Sequence, residues 1–513
     1  MGRVRSEPAA APSIARSATL MVAMRAVSRL IGIFSTAVLA RILTPDDFGL
    51  VVLGTSVLSV VQLLSDCSLG AALIRTGEPT RAQFDTAWTI GLLRGLLVAV
   101  SALVAAPFVA TSMQEPRVVP ILWLLAVTAL LQSAENIRLV QFQIDLNYGP
   151  MFRYQFVTRI VSFVATLVLA LALRNYWALI LSSAITAVVT VAYSYVLRPY
   201  RPRLTLIEWR HLFGFSKWAM IGSVLAVIDV YSINFLISWF GGARAMGLFQ
   251  VSSQIAALPA SEIAAPIRAP MYAGFARLRD DPRELIRVYI QGFGFLFLII
   301  NPMSFGIFAT APMIAPLALG PQWTDAPPMI EAIVFYALFD AFGHYPHNLF
   351  VILNRQPKLM VLGAIFLAIR VPAAVLGGAW GGSIGAVYGM AVTAVLGAIY
   401  WCGASLLLIH ASPNLLLAAI WRTAAACCVM VGVLLALRQI WPVEAGYGRL
   451  GLQFLAFVAA GVVLHTGTQT LLWWLSGRPE GAETKALASA AAAWRRLVAM
   501  SLSLLRRLTP TAR

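Results

Sequence analysis

Charge is scarce in this chain. Only 12 % of its 513 residues are charged, with 21 Asp and Glu against 38 Lys and Arg, while 60 % are hydrophobic. A soluble protein of this length needs a polar surface that such a composition cannot supply. With a mean hydropathy of +0.81 the chain reads as a polytopic, all-α membrane protein. Strict alternation over ten-residue segments is missing, which argues against a transmembrane barrel. Cysteine is also rare. Cys67, Cys402, Cys427 and Cys428 lie in or beside apolar runs without a Cys-x-x-Cys motif, so they read as small packing residues and not as disulfides or zinc ligands. No Gly-x-x-x-x-Gly-Lys loop and no His-Glu-x-x-His helix occurs, and no soluble stretch is large enough to hold a nucleotide. Asp340, His344 and His347 share a helix face, but Pro346 distorts that turn, and a solvated polar face is the better reading than a metal site. No cofactor and no metal are expected. The doublets Asp46-Asp47 and Asp280-Asp281 sit in short loops and read as turn and cap residues.

What is present is a series of apolar runs. Fourteen spans are expected, at roughly 18–40, 48–66, 86–110, 118–137, 154–173, 176–197, 212–239, 247–275, 286–311, 328–353, 359–379, 383–409, 414–437 and 450–475. An even number puts both termini on one side. Of the Lys and Arg, 27 fall on that side, Arg138, Arg153, Arg159 and Arg422 among them; six fall on the other, and Arg25, Arg29, Arg94, Arg268 and Arg370 lie within spans. The positive-inside rule then places both termini in the cytoplasm. Most of the formal charge of +17 is accordingly topogenic and lipid-facing, and nucleic acid is not an expected partner. The polar stretch 1–17 carries Arg3, Arg5 and Arg16, and Arg25 and Arg29 would interrupt a signal core, so the first helix is expected to stay. Residues 476–513 read as a basic amphipathic tail on the cytoplasmic leaflet.

The first two runs organise the rest. Arg25, Ser28, Arg29, Gly32, Ser35 and Thr36 form one polar stripe on the first, and Thr55, Ser59, Gln62 and Asp66 form another on the second. Buried cations at such depth face a bundle interior or a wet cavity. The turn 40–50 is echoed at 239–248: both close on Gly-Leu and open a long helix, and Gly49 and Gly247 are 198 residues apart. Six spans separate them, so the halves are parallel repeats. The expected organisation is an N-lobe at 18–197, a basic linker at 198–211, a C-lobe at 212–409 and two added helices at 414–475.

Ala-Arg-Ile-Leu-Thr-Pro-Asp-Asp-Phe-Gly-Leu at 40–50, Leu-Leu-Ser-Asp-Cys-Ser-Leu-Gly-Ala-Ala-Leu-Ile-Arg at 63–75 and Pro-Ile-Arg-Ala-Pro-Met-Tyr-Ala-Gly-Phe-Ala-Arg-Leu at 266–278 resemble the polysaccharide-transport branch of the multidrug/oligosaccharidyl-lipid/polysaccharide exporter superfamily. The resemblance implies a flippase in the bacterial inner membrane. It would carry undecaprenyl-diphosphate-linked oligosaccharide repeat units to the periplasmic leaflet by alternating access, for lipopolysaccharide or exopolysaccharide synthesis. It implies that helices 1, 2, 7 and 8 line a central cavity, and it admits a polysaccharide polymerase and other export-pathway proteins as partners. A diphosphate suits arginine, whose planar fork makes paired charge-assisted bonds. Arg25, Arg29, Arg94, Arg268, Gln62 and Gln254 are the candidate substrate residues. Arg94 and Arg370 could equally be ion-pair members. Asp229, Glu262 and Asp66 are the candidate ion-coupling carboxylates, with Asp229 alternatively neutralising Arg25 or Arg29. Pro259, Pro266 and Pro270 mark the eighth span as kinked.

Two rivals stand beside this reading. A multidrug or lipid II exporter of the same superfamily fits the span count, although few acidic residues suit cationic drugs. A membrane glycan polymerase or ligase would need a large outward loop, and every outward loop here is short. The charge split makes a direct prediction. A cysteine placed within 198–211 should react with a membrane-impermeant thiol reagent only after cells are permeabilised; labelling in intact cells would overturn the topology.

Overall fold

The computed structural model describes residues 27–66, 69–145, 147–212, 217–264, 271–272, 274–444, 446–479, 481 and 483–484. Helix α1 (27–42) ends one residue before a capping box. Thr44 Oγ1 accepts from the Asp47 amide at 3.3 Å, and the Asp47 carboxylate accepts from the Thr44 amide at 2.9 Å. Pro45 has no amide proton to satisfy, and Asp46 and Asp47 face the positive helix end, so α2 (Pro45–Leu64) starts abruptly. Next come α3 (Leu69–Thr76), α4 (Arg81–Ser112), itself opened by a Thr80/Gln83 capping box, and α5 (Val118–Ser133). The short α6 (Val140–Ile144) leads into α7 (Tyr148–Leu173), α8 (Trp177–Leu197), α9 (Trp209–Leu212) and α10 (Lys217–Ala256). Asp281 caps α11 (Pro282–Ile314), so both acidic doublets are helix caps. The chain continues through α12 (Ala326–His344), α13 (His347–Ile352), α14 (Gln356–Leu408), α15 (Pro413–Ile440) and α16 (Tyr447–Leu475).

The fold is all-α, with no strand among the described residues. Nine described helices are long and apolar enough to cross a bilayer, or ten if the pair bent by 55° at 133–137 is one span. Two continuous helices are really pairs. Gly242 (φ 67°) breaks α10, and Gly382 (φ 62°) breaks α14, conformations that only glycine adopts without strain. Both breaks fall between expected spans, and the structure is consistent with a count of fourteen. Large apolar side chains such as Val104, Phe108 and Val463 cover the outer helix faces, where lipid is their solvent.

The chain divides into two compact units. The first is Met1–Val251 with Ala318–Ala326 and Leu367–Ala386; the second is Ser252–Leu317 with Pro327–Phe366 and Val387–Arg513. In the first, Leu50, Leu53 and Val57 of α2 pack with Val98 and Ala102 of α4 and with Ile121, Leu122 and Leu125 of α5. In the second, Phe275, Tyr289, Phe293, Phe342 and Tyr345 form an aromatic core. Its two buried hydroxyls are satisfied: Tyr345 donates to the Tyr289 carbonyl at 3.0 Å, and the Tyr289 hydroxyl meets Ser405 Oγ at 2.7 Å. Two of the loop-counted cations lie well inside long helices: Arg159 belongs to α7, and Arg422 is buried in α15 with Nε on Glu483 Oε1 at 2.7 Å. Removing Arg159 and Arg422 from the loop count leaves the charge asymmetry intact. Beyond 484 the amphipathic tail lies outside the described residues.

The segment 198–211 is docked on α4. The Tyr200 hydroxyl donates to buried Asp85 at 2.5 Å, the Thr205 amide donates to Thr89 Oγ1 at 3.1 Å, and the Arg198 carbonyl accepts from Asn136 at 2.6 Å. Burial beside Asp85 pushes the Tyr200 phenol well above its usual pKa.

The two echoed turns meet each other. A side chain at Gly49 would strike the Ala243 carbonyl, and one at Gly247 would strike the Pro45 carbonyl. Each glycine therefore admits the backbone of the other turn, the close approach that small residues permit between membrane helices. Trp323, 1 % exposed, seals the junction: its Nε1 donates to the Ala40 carbonyl at 2.7 Å, and its ring meets Phe48 edge-on at 5.6 Å. Gln322 also donates to that carbonyl. Arg244 binds Asp325 at 2.8 Å and lies 3.9 Å from Asp46. Gly49→Val should therefore lower the melting temperature of the purified protein sharply, since it displaces backbone. Gly448→Val, at a helix position with nothing within 4 Å, should change it little. Equal melting would show that the crossing is loose.

Candidate functional site

A cavity of about 670 Å³, mostly apolar but with several polar side chains in its wall, lies within the first unit, between the C-terminal end of α2, the first half of α4 and the end of α5. Gln62, Asp66, Trp88, Arg94, Gln132 and Glu135 contribute to its wall. The sequence places three of these there for a reason visible in α2. Gln62 and Asp66 end its polar stripe, and α4 brings Arg94 across from the other side. Arg94 Nη2 donates to the Gln62 carbonyl at 3.1 Å, Nε to Ser65 Oγ at 3.3 Å and Nη1 to Asp66 at 3.2 Å. A guanidinium here answers the negative end of a helix and one carboxylate together. Thr55, higher on the same stripe, hydrogen-bonds its own helix at the Val51 carbonyl, 2.9 Å away. Glu135, which sequence reasoning missed, accepts from the Tyr154 hydroxyl of α7 at 2.6 Å. The signal for it was available in principle: a carboxylate just past an apolar run needs a donor.

A second polar group lies on α10 and α14. Asp229 accepts from Arg370 Nη1 at 2.8 Å, and Arg370 is buried. One turn further along α10, Asn234 donates to Ser56 Oγ of α2 at 2.9 Å. The pairs mark where α10 meets its neighbours α14 and α2.

The other candidates are dispersed. Arg29 is half-buried on α1, on the same face as Gly32. Gln254 is half-buried near the end of α10. Glu262 is exposed in a π-turn at Ala260–Ala264 and accepts from Ser261 Oγ at 3.0 Å. Arg25 and Arg268 lie outside the described residues. The structure thus brings together Gln62, Asp66 and Arg94, and separately Asp229 and Arg370. No cluster of metal-ligating side chains occurs among the described residues.

By class the protein is a multi-pass, all-α membrane protein. Its fold is shared by the lipid II flippase MurJ in an inward closed conformation, with a TM-score of 0.71 at 9 % identity over 89 % of this chain and 99 % of that one. It is also shared by an inward-facing multidrug resistance MATE family transporter of the MOP superfamily, with a TM-score of 0.56 at 15 % identity over 75 % and 94 %. The chain belongs to the polysaccharide biosynthesis protein family, whose model matches residues 38–328. Among its relatives are the lipopolysaccharide biosynthesis protein WzxC of Escherichia coli, 21 % identical over 72 % of this chain and 76 % of its own length, and the succinoglycan biosynthesis transport protein ExoT of Rhizobium meliloti, 21 % identical over 57 % and 60 %.

The Asp229–Arg370 pair yields a quantitative prediction. Asp229→Ala leaves a buried guanidinium without this carboxylate and should destabilise the protein by about 3–5 kcal/mol. The double variant Asp229→Ala/Arg370→Leu removes both charges and should recover most of that loss in a thermal-melting assay. A double variant as unstable as the single would show that the two side chains act independently.

Proposed function

We propose that this protein is a flippase for lipid-linked oligosaccharide repeat units, moving them from the cytoplasmic to the periplasmic leaflet of a bacterial inner membrane, with both of its own termini cytoplasmic. The observation that carries this reading is a set of arginines at membrane depth in a member of a polysaccharide biosynthesis family. A diphosphate head group has to leave water, and a guanidinium inside the bilayer replaces its hydration with charge-assisted hydrogen bonds. The polyprenyl tail needs no such site, because lipid solvates it throughout. The substrate contacts we assign are Arg25, Arg29, Arg94, Arg268, Gln62 and Gln254, and alternating access between two repeat-related lobes exposes them to each side in turn. A glycan polymerase acting downstream is the natural partner.

Coupling falls to Asp229, with Asp66 and Glu262 as further candidates. A proton or sodium ion bound at Asp229 would compete directly with Arg370, so ion binding and release of the pair are one event. A ligand shifts such an equilibrium only by its differential affinity for the two states. Asp229→Asn is therefore expected to remove the dependence of transport on the ion gradient while leaving head-group binding intact.

The test is complementation of a bacterium that lacks its own repeat-unit flippase. Expression of this chain together with its glycan pathway should restore surface polysaccharide and relieve accumulation of the lipid-linked precursor. Arg29→Lys should restore it partially and Arg29→Ala hardly at all, because losing a charge-assisted bond costs about 1.5–3 kcal/mol, or on the order of 10- to 100-fold in affinity. Full restoration by a normally abundant Arg29→Ala protein would make that arginine structural. Sugar-chain elongation by the pure protein would replace the transporter reading altogether.

A further inference from the structure

Arg159 is an intramembrane cation that the loop count conceals. It lies 11 residues into α7, roughly 16 Å along the helix axis, and about five residues inside the apolar run 154–173. Its face of α7 is polar: Gln155, Arg159, Ser162 and Thr166 recur at i, i+4, i+7 and i+11, the same spacing as the polar stripe of α2. The opposite face carries exposed Val164, Val168 and Leu171 and belongs to lipid. Arg159 makes no hydrogen bond, ion pair or ring contact among the described residues. An arginine inside a membrane span, exposed and without a carboxylate among the described residues, marks a place where a negative charge is expected from outside the chain.

Its guanidinium lies against α1. The Arg159 Nη2 atom sits 2.9 Å from where a Cβ of Gly32 would be, so a side chain at Gly32 would push the flexible guanidinium aside. Phe34 and Phe163 meet between the same two helices, with ring centroids 6.0 Å apart. Gly32 is one helical turn from Arg29, on the same face of α1. Two guanidinium-bearing side chains, one from each helix, thus converge on one stretch of the α1 surface.

We propose that Arg159 is the second cation of the head-group seat, holding with Arg29 the diphosphate of the carried lipid. This inference rests on the flippase reading. It adds a residue from a helix outside the set that the family resemblance implies for the cavity, and it assigns Gly32 a role, that of leaving space for the guanidinium. A phosphate could also come from bulk anionic lipid, so the experiment separates the two sources. The full chain is placed in nanodiscs of zwitterionic phosphatidylcholine and titrated with farnesyl diphosphate. Arg159→Ala should weaken binding about 10- to 100-fold, the loss expected for one or two charge-assisted bonds. Arg159→Lys should retain part of the affinity, because it keeps a point charge. Gly32→Leu, which removes no charge but pushes the guanidinium away, should behave like Arg159→Ala. The double variant Arg29→Ala/Arg159→Ala should lose less than the product of the single losses, as residues sharing one ligand do. Phosphatidylglycerol added to the nanodiscs should compete only weakly. Unchanged affinity in folded Arg159→Ala and Gly32→Leu proteins overturns the inference and leaves the flippase reading standing. Displacement of the diphosphate by phosphatidylglycerol at equal concentration overturns it too, by making the seat a general lipid-anion site. A wild-type chain that ignores farnesyl diphosphate overturns both readings.

Discussion

The first unit depends on one close approach between backbones. Gly49 and Gly247 let the first turn of α2 and the turn after Gly242 cross at a distance that no side chain tolerates. Between membrane helices there is no hydrophobic drive to bring surfaces together, because lipid is as apolar as leucine, and packing has to come from fit. Removing the Cβ atoms supplies that fit. Once the backbones touch, the other contacts at this end have a fixed frame. Asp47 can accept from the Tyr176 amide at 2.8 Å, Asp46 and Asp325 flank Arg244, and Trp323 reaches the Ala40 carbonyl. These are polar or aromatic groups at the end of long helices, where water and amphipathic rings normally meet.

Cations are distributed by a different logic. Among the described residues, several arginines within helices are matched inside the chain. Arg94 is held by the end of α2 and by Asp66, Arg370 by Asp229, and Arg422 by Glu483. These pairs fix helices against one another in a medium where an uncompensated charge is severely penalised. Arg159 has no such match among the described residues, and its guanidinium rests against bare backbone at Gly32.

Much of this was legible in the residues, and the failures have specific causes. Apolar run length gives the helices, because a bilayer fixes their minimum. Thr44-Pro45-Asp46-Asp47 announces its own capping box. The glycines of the two echoed turns were visible as a repeat, although nothing local says that they touch each other, since the contact joins residues 198 positions apart. Arg94 and Asp66 could be nominated singly as intramembrane charges; their mutual bond needed α4 to fold across α2. Arg159 was hidden because proximity to Arg153 made it look like part of a basic loop. Only the i, i+4, i+7 recurrence from Gln155 shows that the helix has already begun. Trp323 and Asp325 gave no signal at all, being short-range neighbours of nothing they bind.

The docked segment after α8 has a consequence for how the chain is made. Asp85 is buried early in α4, yet the Tyr200 hydroxyl that satisfies it is 115 residues further on. A buried carboxylate left without its donors is costly, so this end of α4 reaches its final environment only after α5, α7 and α8 have been synthesised and inserted. The bonds from 198–208 to Asp85, Thr86, Thr89 and Asn136 then close this end of the helices together.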